Sequence, residues 1–535
     1  VTIALLDQHG QPLASQADTA HYAASRVARE LKAWDPGLAS PDADLWGELD
    51  TLVARQRDIV RNHGLASGAI QTLVDNVIGT GFRLAPKPNI RVLGWDREKG
   101  RDWARDVAAQ FRTWADTRDC DITGEMNLGS MTSLAFRTGL MHGEALALPY
   151  YLPRPGTPWR TRLQLVDPDR LGTPGDKVGD PTVRMGIEVD TYGAPVAYYV
   201  TKRHPFDIGP AMFGLAEYER IPARTSFGRR RVLHIHDRER TGQTRGKPIM
   251  SSVLPRFRML SDYQRNEMKS AIVNSMIAAF IESPMNSEQL LNLFGGPSAD
   301  PQTGFKKYQD ERGSWEAKLD GGAIIPMFPG DKITPFTPNR PNNVYKDFIE
   351  TIVREIGVAT NMPYELIMKD FSKTSYAAVR AALMEAWRFF AGRRKWMIDY
   401  WLQPVYELWL EEAVNRGVVV APGFYENRAA YCDSQWIGSA KGYVDPVREA
   451  QAAEDRMRIG VSTLEREAAE QGADWEEILE QRAHELEIMR KLKIPLSAVG
   501  AARNAGDVVE GSPPDDGNDN SDKPAPGQGE KVQQP

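Results

Sequence analysis

The stretch NMPYELIMKDFSKTSYAAVRAALMEAWRFF, residues 361–390, decides the fold. A helical pattern runs up to Pro363 and stops, because proline lacks the amide hydrogen and restricts the residue before it. A short polar loop follows, with Lys369, Asp370, Ser372, Lys373, Thr374 and Ser375. Then a long helix begins, predicted over residues 375–416. It carries Tyr376, Trp387, Phe389, Phe390, Trp396, Tyr400, Trp401, Tyr406 and Trp409. That is more aromatic surface than a helix leaves in water. Pro404 lies inside it and predicts a kink. Nothing in the stretch resembles an active site. It reads as a mechanical element, two helices holding a charged loop out into a space.

On the N-terminal side, Val344, Phe348, Ile352 and Ile356 recur at four-residue steps and predict a helix over residues 343–358. Residues 284–343 form a small unit of their own. They hold a short helix at 288–294, a Gly/Pro/Asp loop at 295–304, and strands near 323–327 and 332–336. Before that unit, residues 256–282 read as a single helix of about 40 Å at 1.5 Å per residue. Its seam is narrow: Phe257, Leu260, Gln264, Met268, Ala271, Ser275 and Ala279, ended by Pro284. A small β-containing module thus hangs between two helices.

Residues 1–42 are small, polar and punctuated by Pro and Gly, which predicts a loosely held arm. Helices are expected over 44–63, where Gly64 should end the first, over 70–78, and over 97–117 with Trp103, Val107, Phe111 and Trp114 on one face. A helix at 128–142 should feed a strand at 144–151. From 162 to 236 the pattern is strand and turn, with Tyr192-Gly193 suited to a hairpin. After the aromatic helix, 418–436 reads as irregular or β, and 445–469 and 474–493 as charged helices. Residues 511–535 have almost no apolar side chain, and their composition predicts disorder. The class is a helix-rich α+β chain.

Charge and cysteine content exclude several functions. The chain has 535 residues, 66 Lys and Arg against 72 Asp and Glu, and a net charge of −6. A protein gripping duplex DNA over a wide surface is normally basic, since affinity comes from neutralised phosphates. Two cysteines, Cys120 and Cys432, exclude a disulfide framework and a thiolate zinc site. The N-terminal residues lack a basic, apolar leader, and the best apolar run, 271–281, is too short to span a bilayer. The expectation is a soluble intracellular chain.

Catalytic motifs are missing. The nearest string to a phosphate loop, Arg245-Gly246-Lys247-Pro248, has proline where a Ser or Thr would hold the metal. His234 and His236 share a strand face, but no third metal ligand is evident, so two half-buried strand histidines is the preferred reading. Residues 515–522, DDGNDNSD, lack the sixth-place glycine and the twelfth-place glutamate of a calcium loop. No Gly-x-Ser-x-Gly elbow occurs. No catalytic residue, metal or cofactor is assigned, and the chain is read as no enzyme. The basic run 220–247, with Arg229, Arg230, Arg231, Arg238, Arg240 and Arg245, is interspersed with Asp237 and Glu239 and preceded by Glu217 and Glu219. A structural or intersubunit role is favoured over DNA contact.

Four segments then converge. They are RQRDIVRNHGLASGAIQTLVDNVIGTGFRL (55–84), VLHIHDRERTGQTRGKPIMSSVLPRFRMLSDYQRNEMKSAIVNSMIAAFI (232–281), NMPYELIMKDFSKTSYAAVRAALMEAWR (361–388) and DPVREAQAAEDRMRIGVSTLEREAAEQGADWEEILEQRA (445–483). In this order they resemble the lambda-type (siphovirus) bacteriophage portal proteins, over roughly residues 44–496. One departure is small: Thr374-Ser375 stands where the family usually has Ser-Ser or a similar small pair.

The resemblance implies a portal-type subunit with wing, stem, clip and crown, assembling into a closed ring, typically a dodecamer. It implies an N-terminal arm (1–43), wing (44–246), stem helix (247–283), clip (284–341), second stem helix (342–361) and tunnel-loop region (362–375). The long wing helix and the segment after it (376–444), crown helices (445–505) and a tail (506–535) follow. The implied function is the DNA channel at one capsid vertex, through which the genome is packaged and ejected. The implied partners are other copies of the chain, the terminase large subunit, head-completion and tail adaptor proteins, major capsid and scaffolding proteins, and double-stranded DNA passing without sequence specificity. No membrane is implied. Lys369, Asp370, Lys373, Thr374 and Ser375 would face the DNA. Phe294, Lys306, Lys307, Tyr308 and Trp315 would dock the motor and connectors. The location would be the virion vertex, and the bacterial cytoplasm during assembly. The alternatives are a DNA-packaging enzyme that is not a portal, or a capsid scaffold or adaptor.

Overall fold

The computed structural model describes residues 33, 36–207, 217–276, 279–282, 306, 332–335, 345–372, 374–442 and 445–494. The expectations for most of residues 1–43, most of 284–341, Lys373 and residues 495–535 lie outside the described residues. The chain divides into two units, residues 1–472 and 473–535.

The first unit is built around α3 (Gly64–Val77), whose Ala66, Ala69, Ile70, Leu73 and Val77 are all buried. A short α1 (Pro41–Leu45), capped by Ser40, leads to α2 (Leu49–Asn62). The sequence reading ends this helix at Gly64. The break instead falls at His63, whose extended backbone lets Nδ1 accept from the Leu65 amide at 3.3 Å. Gly64 therefore begins α3, and His63 does the capping that Ser or Asn usually does. The short α4 (Ile90–Leu93) precedes α5 (Arg97–Ala115), and α6 (Leu128–His142) packs beside α3.

Gly143, at φ 86°, turns α6 directly into β2 (Glu144–Tyr151). This strand lies between β3 (Thr161–Val166) and β8 (Leu233–His236), antiparallel to both. Its period-two alternation serves two cores. Ala145 and Ala147 face the helical core, while Leu146 and Leu148 face a second core under the other sheet. That sheet runs in the order β4 (Val183–Arg184), β5 (Ile187–Val189), β6 (Pro195–Thr201), β7 (Tyr218–Pro222). Gly193, at φ 82°, makes the expected turn between β5 and β6. A ladder joins β1 (Arg83–Pro86) to β11 (Ser434–Ile437), tying the two ends of the unit together.

The helix predicted over 256–282 is shorter than expected. α7 covers Leu254–Met276, and Ala279–Glu282 is a strand, β9, paired antiparallel with β10 (Lys332–Pro335). Ala279 continues the helical seam in sequence, but the run Ala279–Glu282 equally suits a strand, and a partner strand decides the matter. α7 lies against α8 (Tyr345–Thr360), with Tyr263 stacked on Tyr345, Tyr263 edge-on to Phe348, and Arg256 paired to Glu355 at 2.9 Å.

The long aromatic helix is also interrupted. α10 (Tyr376–Met397) passes through a π-helical turn (Ile398–Leu402) into α11 (Gln403–Asn415). The Gln403 amide bonds to the Ile398 carbonyl, five residues back. Pro404 explains this better than a simple kink, since its ring crowds the carbonyl four residues earlier and a wider turn relieves the clash. The turn buries Trp401, whose indole donates to Thr132 Oγ1 at 2.9 Å. Beyond it Tyr406 and Trp409 pack on Phe111, and Trp409 on Trp159, filling the core as the aromatic content predicted. After α12 (Arg428–Tyr431), the helix predicted over 445–469 proves to be two, α13 (Pro446–Arg458) and α14 (Leu464–Glu470). Gly460, at φ 79°, separates them. The second unit has α15 (Trp475–Lys491), capped by Asp474.

Candidate functional site

Between α8 and α10 lies the polar loop of residues 369–375. α8 ends at a tight corner where the Met362 amide bonds to the Gly357 carbonyl at 2.9 Å. A Cβ on residue 357 would lie 2.6 Å from the Met362 carbonyl oxygen, so glycine is required there. α9 (Tyr364–Met368) follows, anchored by buried Ile367 and Met362 and stopped by Lys369 in the left-handed conformation at φ 54°. Lysine there carries a strain that glycine would not.

The loop itself is short and polar. Asp370 Oδ1 accepts from the Ser372 amide at 3.0 Å and from its hydroxyl at 2.6 Å, a self-contained turn. Thr374 reaches back to Glu365 at 3.4 Å, and Ser375 caps α10 by accepting from the Ala378 amide at 3.4 Å. Lys369 is exposed and has no ion-pair partner among the described residues. The loop therefore gathers Lys369, Asp370, Thr374 and Ser375, while Lys373 lies outside the described residues. Of the expected docking residues only Lys306 is described, exposed in a helical turn. Phe294, Lys307, Tyr308 and Trp315 lie outside.

α10, the strut behind the loop, is fixed by a contact that sequence reasoning missed. Arg394 donates to three carbonyls, Asn76 at 2.8 Å, Val77 at 3.0 Å and Ser439 at 2.8 Å, with its guanidinium 4.5 Å over the Trp387 ring. Two of those carbonyls end α3, where the helix dipole favours a cation. Burial pulls the Arg394 pKa down. One wall of a groove of about 890 Å³ is formed by Arg380, Leu383 and Trp387 of α10, the facing wall by α13.

A second polar assembly braces the sheet-containing part of the first unit. Glu144, 1% exposed, accepts from Arg245 Nε at 2.6 Å and from His234 Nε2 at 2.9 Å. Burial alone would raise its pKa, but the Arg245 charge and His234 outweigh it and hold the carboxyl well below its ordinary range. Arg245 also donates to the carbonyls of Leu171 and Met185. His236 stacks on His234 at 4.2 Å and accepts from Arg238 at Nε2, which leaves its protonated Nδ1 buried without a partner. Burial, then the neighbouring His234, lower its pKa to about 3. The two strand histidines are thus structural, and more buried than expected. Part of the basic run is used internally: Arg220 pairs with Glu188, Arg240 with Asp44, and Arg245 with Glu144.

Acid should therefore weaken this part of the fold. His236 stays neutral in the folded chain while the unfolded chain gains its proton below the ordinary histidine pKa of about 6.5. Its stabilising contribution is complete above that value and falls as pH drops toward about 3. His142 and His63, both lowered by burial, add to the same trend. Thermal unfolding should show a loss of about 2–3 kcal/mol from His236 alone between pH 7 and pH 4.5, and a His236→Asn variant should show a smaller slope.

His142, Asp167 and Asp169 offer ligand atoms within 4.8 Å of one another, with His204 beside the two acids. The hydrogen bonds argue against a metal there. Arg57 donates to His142 Nε2 at 2.8 Å and to Asp169 at 2.6 Å, and the Phe206 amide donates to His204 Nδ1. The imidazole lone pairs are taken, and the guanidinium already supplies the positive charge.

Set beside known proteins, the chain matches the model for "Phage portal protein, lambda family" over residues 28–394. It is 30% identical to portal protein B of Escherichia phage lambda over 477 residues, 87% of this chain and 89% of that one. It is 31% identical to the portal protein of Escherichia phage N15 over 471 residues, 85% and 87% of the two chains. A probable portal protein of Halomonas phage phiHAP-1 is 24% identical over 509 residues, 92% and 91%. A chain from the neck of a native gene transfer agent particle aligns at a TM-score of 0.39 and 13% identity, over 80% of this chain and 94% of that one. No described helix is long and apolar enough to cross a membrane.

Proposed function

The chain belongs to the lambda family of phage portal proteins, and from that membership we propose that its copies close into a ring whose bore passes double-stranded DNA. The observation that carries the proposal is the loop at 369–375. It is short, polar and internally hydrogen-bonded, and it sits at the head of a strut whose far end is locked into the core. Its exposed Lys369 is uncompensated among the described residues. In a ring, one lysine per subunit becomes a belt of positive charge. A belt of this kind in an otherwise non-basic bore attracts phosphates without holding them, which suits a duplex that has to slide.

On this reading α7 and α8 are the paired stem helices and residues 284–341 the clip, the platform for the packaging motor and later for connector proteins. Phe294, Lys306, Lys307, Tyr308 and Trp315 are the proposed contacts. The role is structural, with no reaction assigned to any residue, and its place is the virion vertex after assembly in the bacterial cytoplasm. Ring closure uses two different faces of each subunit, head to tail.

Electron microscopy of the purified chain tests the ring, which should show a central hole; a monomer at high concentration would sink the proposal. The loop is tested by Lys369→Ala together with Lys373→Ala. Rings should still form, while packaged DNA is retained less well or packaging slows several-fold. Unchanged retention and packaging would remove the DNA-facing role from these lysines.

A further inference from the structure

Between β7 and β8, residues 223–231 form a tight hairpin that holds the part of the basic run the fold leaves over. The Arg231 amide donates to the Ala223 carbonyl at 2.9 Å and the Thr225 amide to the Arg229 carbonyl at 2.8 Å, and Gly228, at φ 91°, closes the turn. Arg224 and Arg230 are therefore cross-strand partners in a non-hydrogen-bonded pair, the position where facing side chains come closest. Like charges placed directly opposite one another destabilise a hairpin. Both arginines are exposed. Arg224 donates to the Gly228 carbonyl at 2.9 Å, and neither residue has an ion pair among the described residues. Partial burial and then the Arg224 charge lower the Arg230 pKa; Glu407 opposes them, but it already faces Arg428 at 3.7 Å.

The surface around the pair has the same sign. The guanidinium of exposed Arg160 lies 5.7 Å from the Tyr151 ring, and that of Arg229 lies 5.8 Å from it. The neighbouring acids are turned inward: Glu411 and Glu412 are 2% and 1% exposed, and Glu412 accepts from the Arg160 and Thr161 amides. At the tip of the hairpin, Phe227 is 72% exposed.

We propose that this hairpin is a contact for the phosphate backbone of double-stranded DNA, separate from the loop at 369–375. A facing pair of guanidiniums with no acid between them is a cost in the free chain, and an anion removes it. Guanidinium also matches phosphate through paired N–H donors. The element is a two-stranded ribbon, of a width that the major groove admits, and its aromatic tip adds an apolar contact with sugars and base edges. DNA is the polyanion that the proposed function brings to the chain; the inference rests on that reading for its ligand and not on ring closure. Phosphate contacts carry no sequence information, so the contact is indifferent to sequence. A site this small is compatible with a chain of net charge −6.

Fluorescence anisotropy with a labelled duplex of about 20 base pairs tests this. The chain used carries Lys369→Ala and Lys373→Ala, so that the loop contributes nothing. Binding should persist there and weaken with salt. Adding Arg224→Thr and Arg230→Thr should weaken it about tenfold at low salt, and should reduce the slope of log affinity against log salt by about 1.8, which is about 0.9 for each phosphate no longer neutralised. Phe227→Ala should lower affinity at every salt concentration and leave that slope unchanged. The thermal midpoint of Arg230→Thr should be equal or higher, since repulsion is removed and threonine suits a strand; a structural role for the arginine predicts a fall. An unchanged salt slope in the double arginine variant would overturn the proposal. So would loss of rings in that variant with DNA binding intact, which would assign the hairpin to a subunit interface. Displacement of the duplex by polyglutamate as readily as by unlabelled duplex would assign it to an acidic protein and overturn the proposal too.

Discussion

Arg245→Ala is expected to destabilise the first unit by about 3–5 kcal/mol, the cost of leaving a buried charge without its partner. The residue left behind is Glu144, 1% exposed, which would keep only His234 and a distant Gly246 amide at 3.5 Å. The loss is larger than for a surface pair because no water reaches the carboxylate. Arg245 also holds Leu171 and Met185 through their carbonyls, so the connection between the two sheets loosens with it. Thermal unfolding of the purified chain measures this directly. A Glu144→Gln/Arg245→Met double variant separates the causes. It removes both charges at similar volume and should recover much of the stability, because no uncompensated ion remains. Destabilisation by Arg245→Ala of less than about 1 kcal/mol would mean that solvent enters the site and that the network contributes little.

That network also shows where sequence reading runs out. Its members, Glu144, Leu171, Met185, His234 and Arg245, come from separate stretches of the chain, and no local pattern links them. Arg245 sits in a string that reads as a failed phosphate loop and as the end of a basic run, and neither signal points to Glu144. His234 and His236 show no third ligand in sequence, and Glu144, which completes the set, is the first residue of a strand that simply looks apolar. Legible features were those with local periodicity: α5 and α6, the hairpin at Gly193, the helix at 345–360 and the polar loop after it. Elements whose state depends on a distant partner were misread. Ala279–Glu282 became a strand because Lys332–Pro335 pairs with it. The second helix starts at Gly64, earlier than its apolar stripe from Ile70 suggests, since glycine, the commoner terminator, reads as a stop in sequence. The π turn before Pro404 has no sequence signature beyond the proline itself. For the loop, sequence located the residues and structure supplied the means of holding them, through Gly357, the strained Lys369 and the Arg394 clamp, each dependent on contacts that periodicity does not encode.

Gly246→Ala should be severely damaging, with an expected cost above about 4 kcal/mol and loss of most soluble protein. A Cβ at residue 246 would lie 1.9 Å from the Gly143 carbonyl oxygen and 2.6 Å from its carbonyl carbon. Both are backbone atoms, so no side chain can rotate away. The reverse substitution meets the same wall, since a Cβ on Gly143 would lie 2.3 Å from the Lys247 backbone. Gly143 also sits at φ 86°, where an L side chain is strained even in open space. This crossing places the corner between α6 and β2 against the loop that carries Arg245, so the methyl would push apart the segments that bury Glu144. The two glycines make one contact, and their effects should not add: Gly143→Ala/Gly246→Ala should cost far less than the sum of the single variants. Gly68→Ala is the counterpart. It lies inside α3, where a methyl would meet no atom within 4 Å beyond the helix's own backbone, and its φ is not positive. There alanine should stabilise by about 0.5–1 kcal/mol by reducing the entropy lost on folding. Opposite shifts in thermal midpoint for the two substitutions would confirm that close backbone approach, and not glycine content, governs this corner; a neutral Gly246→Ala would mean that the two segments stand further apart than 1.9 Å allows.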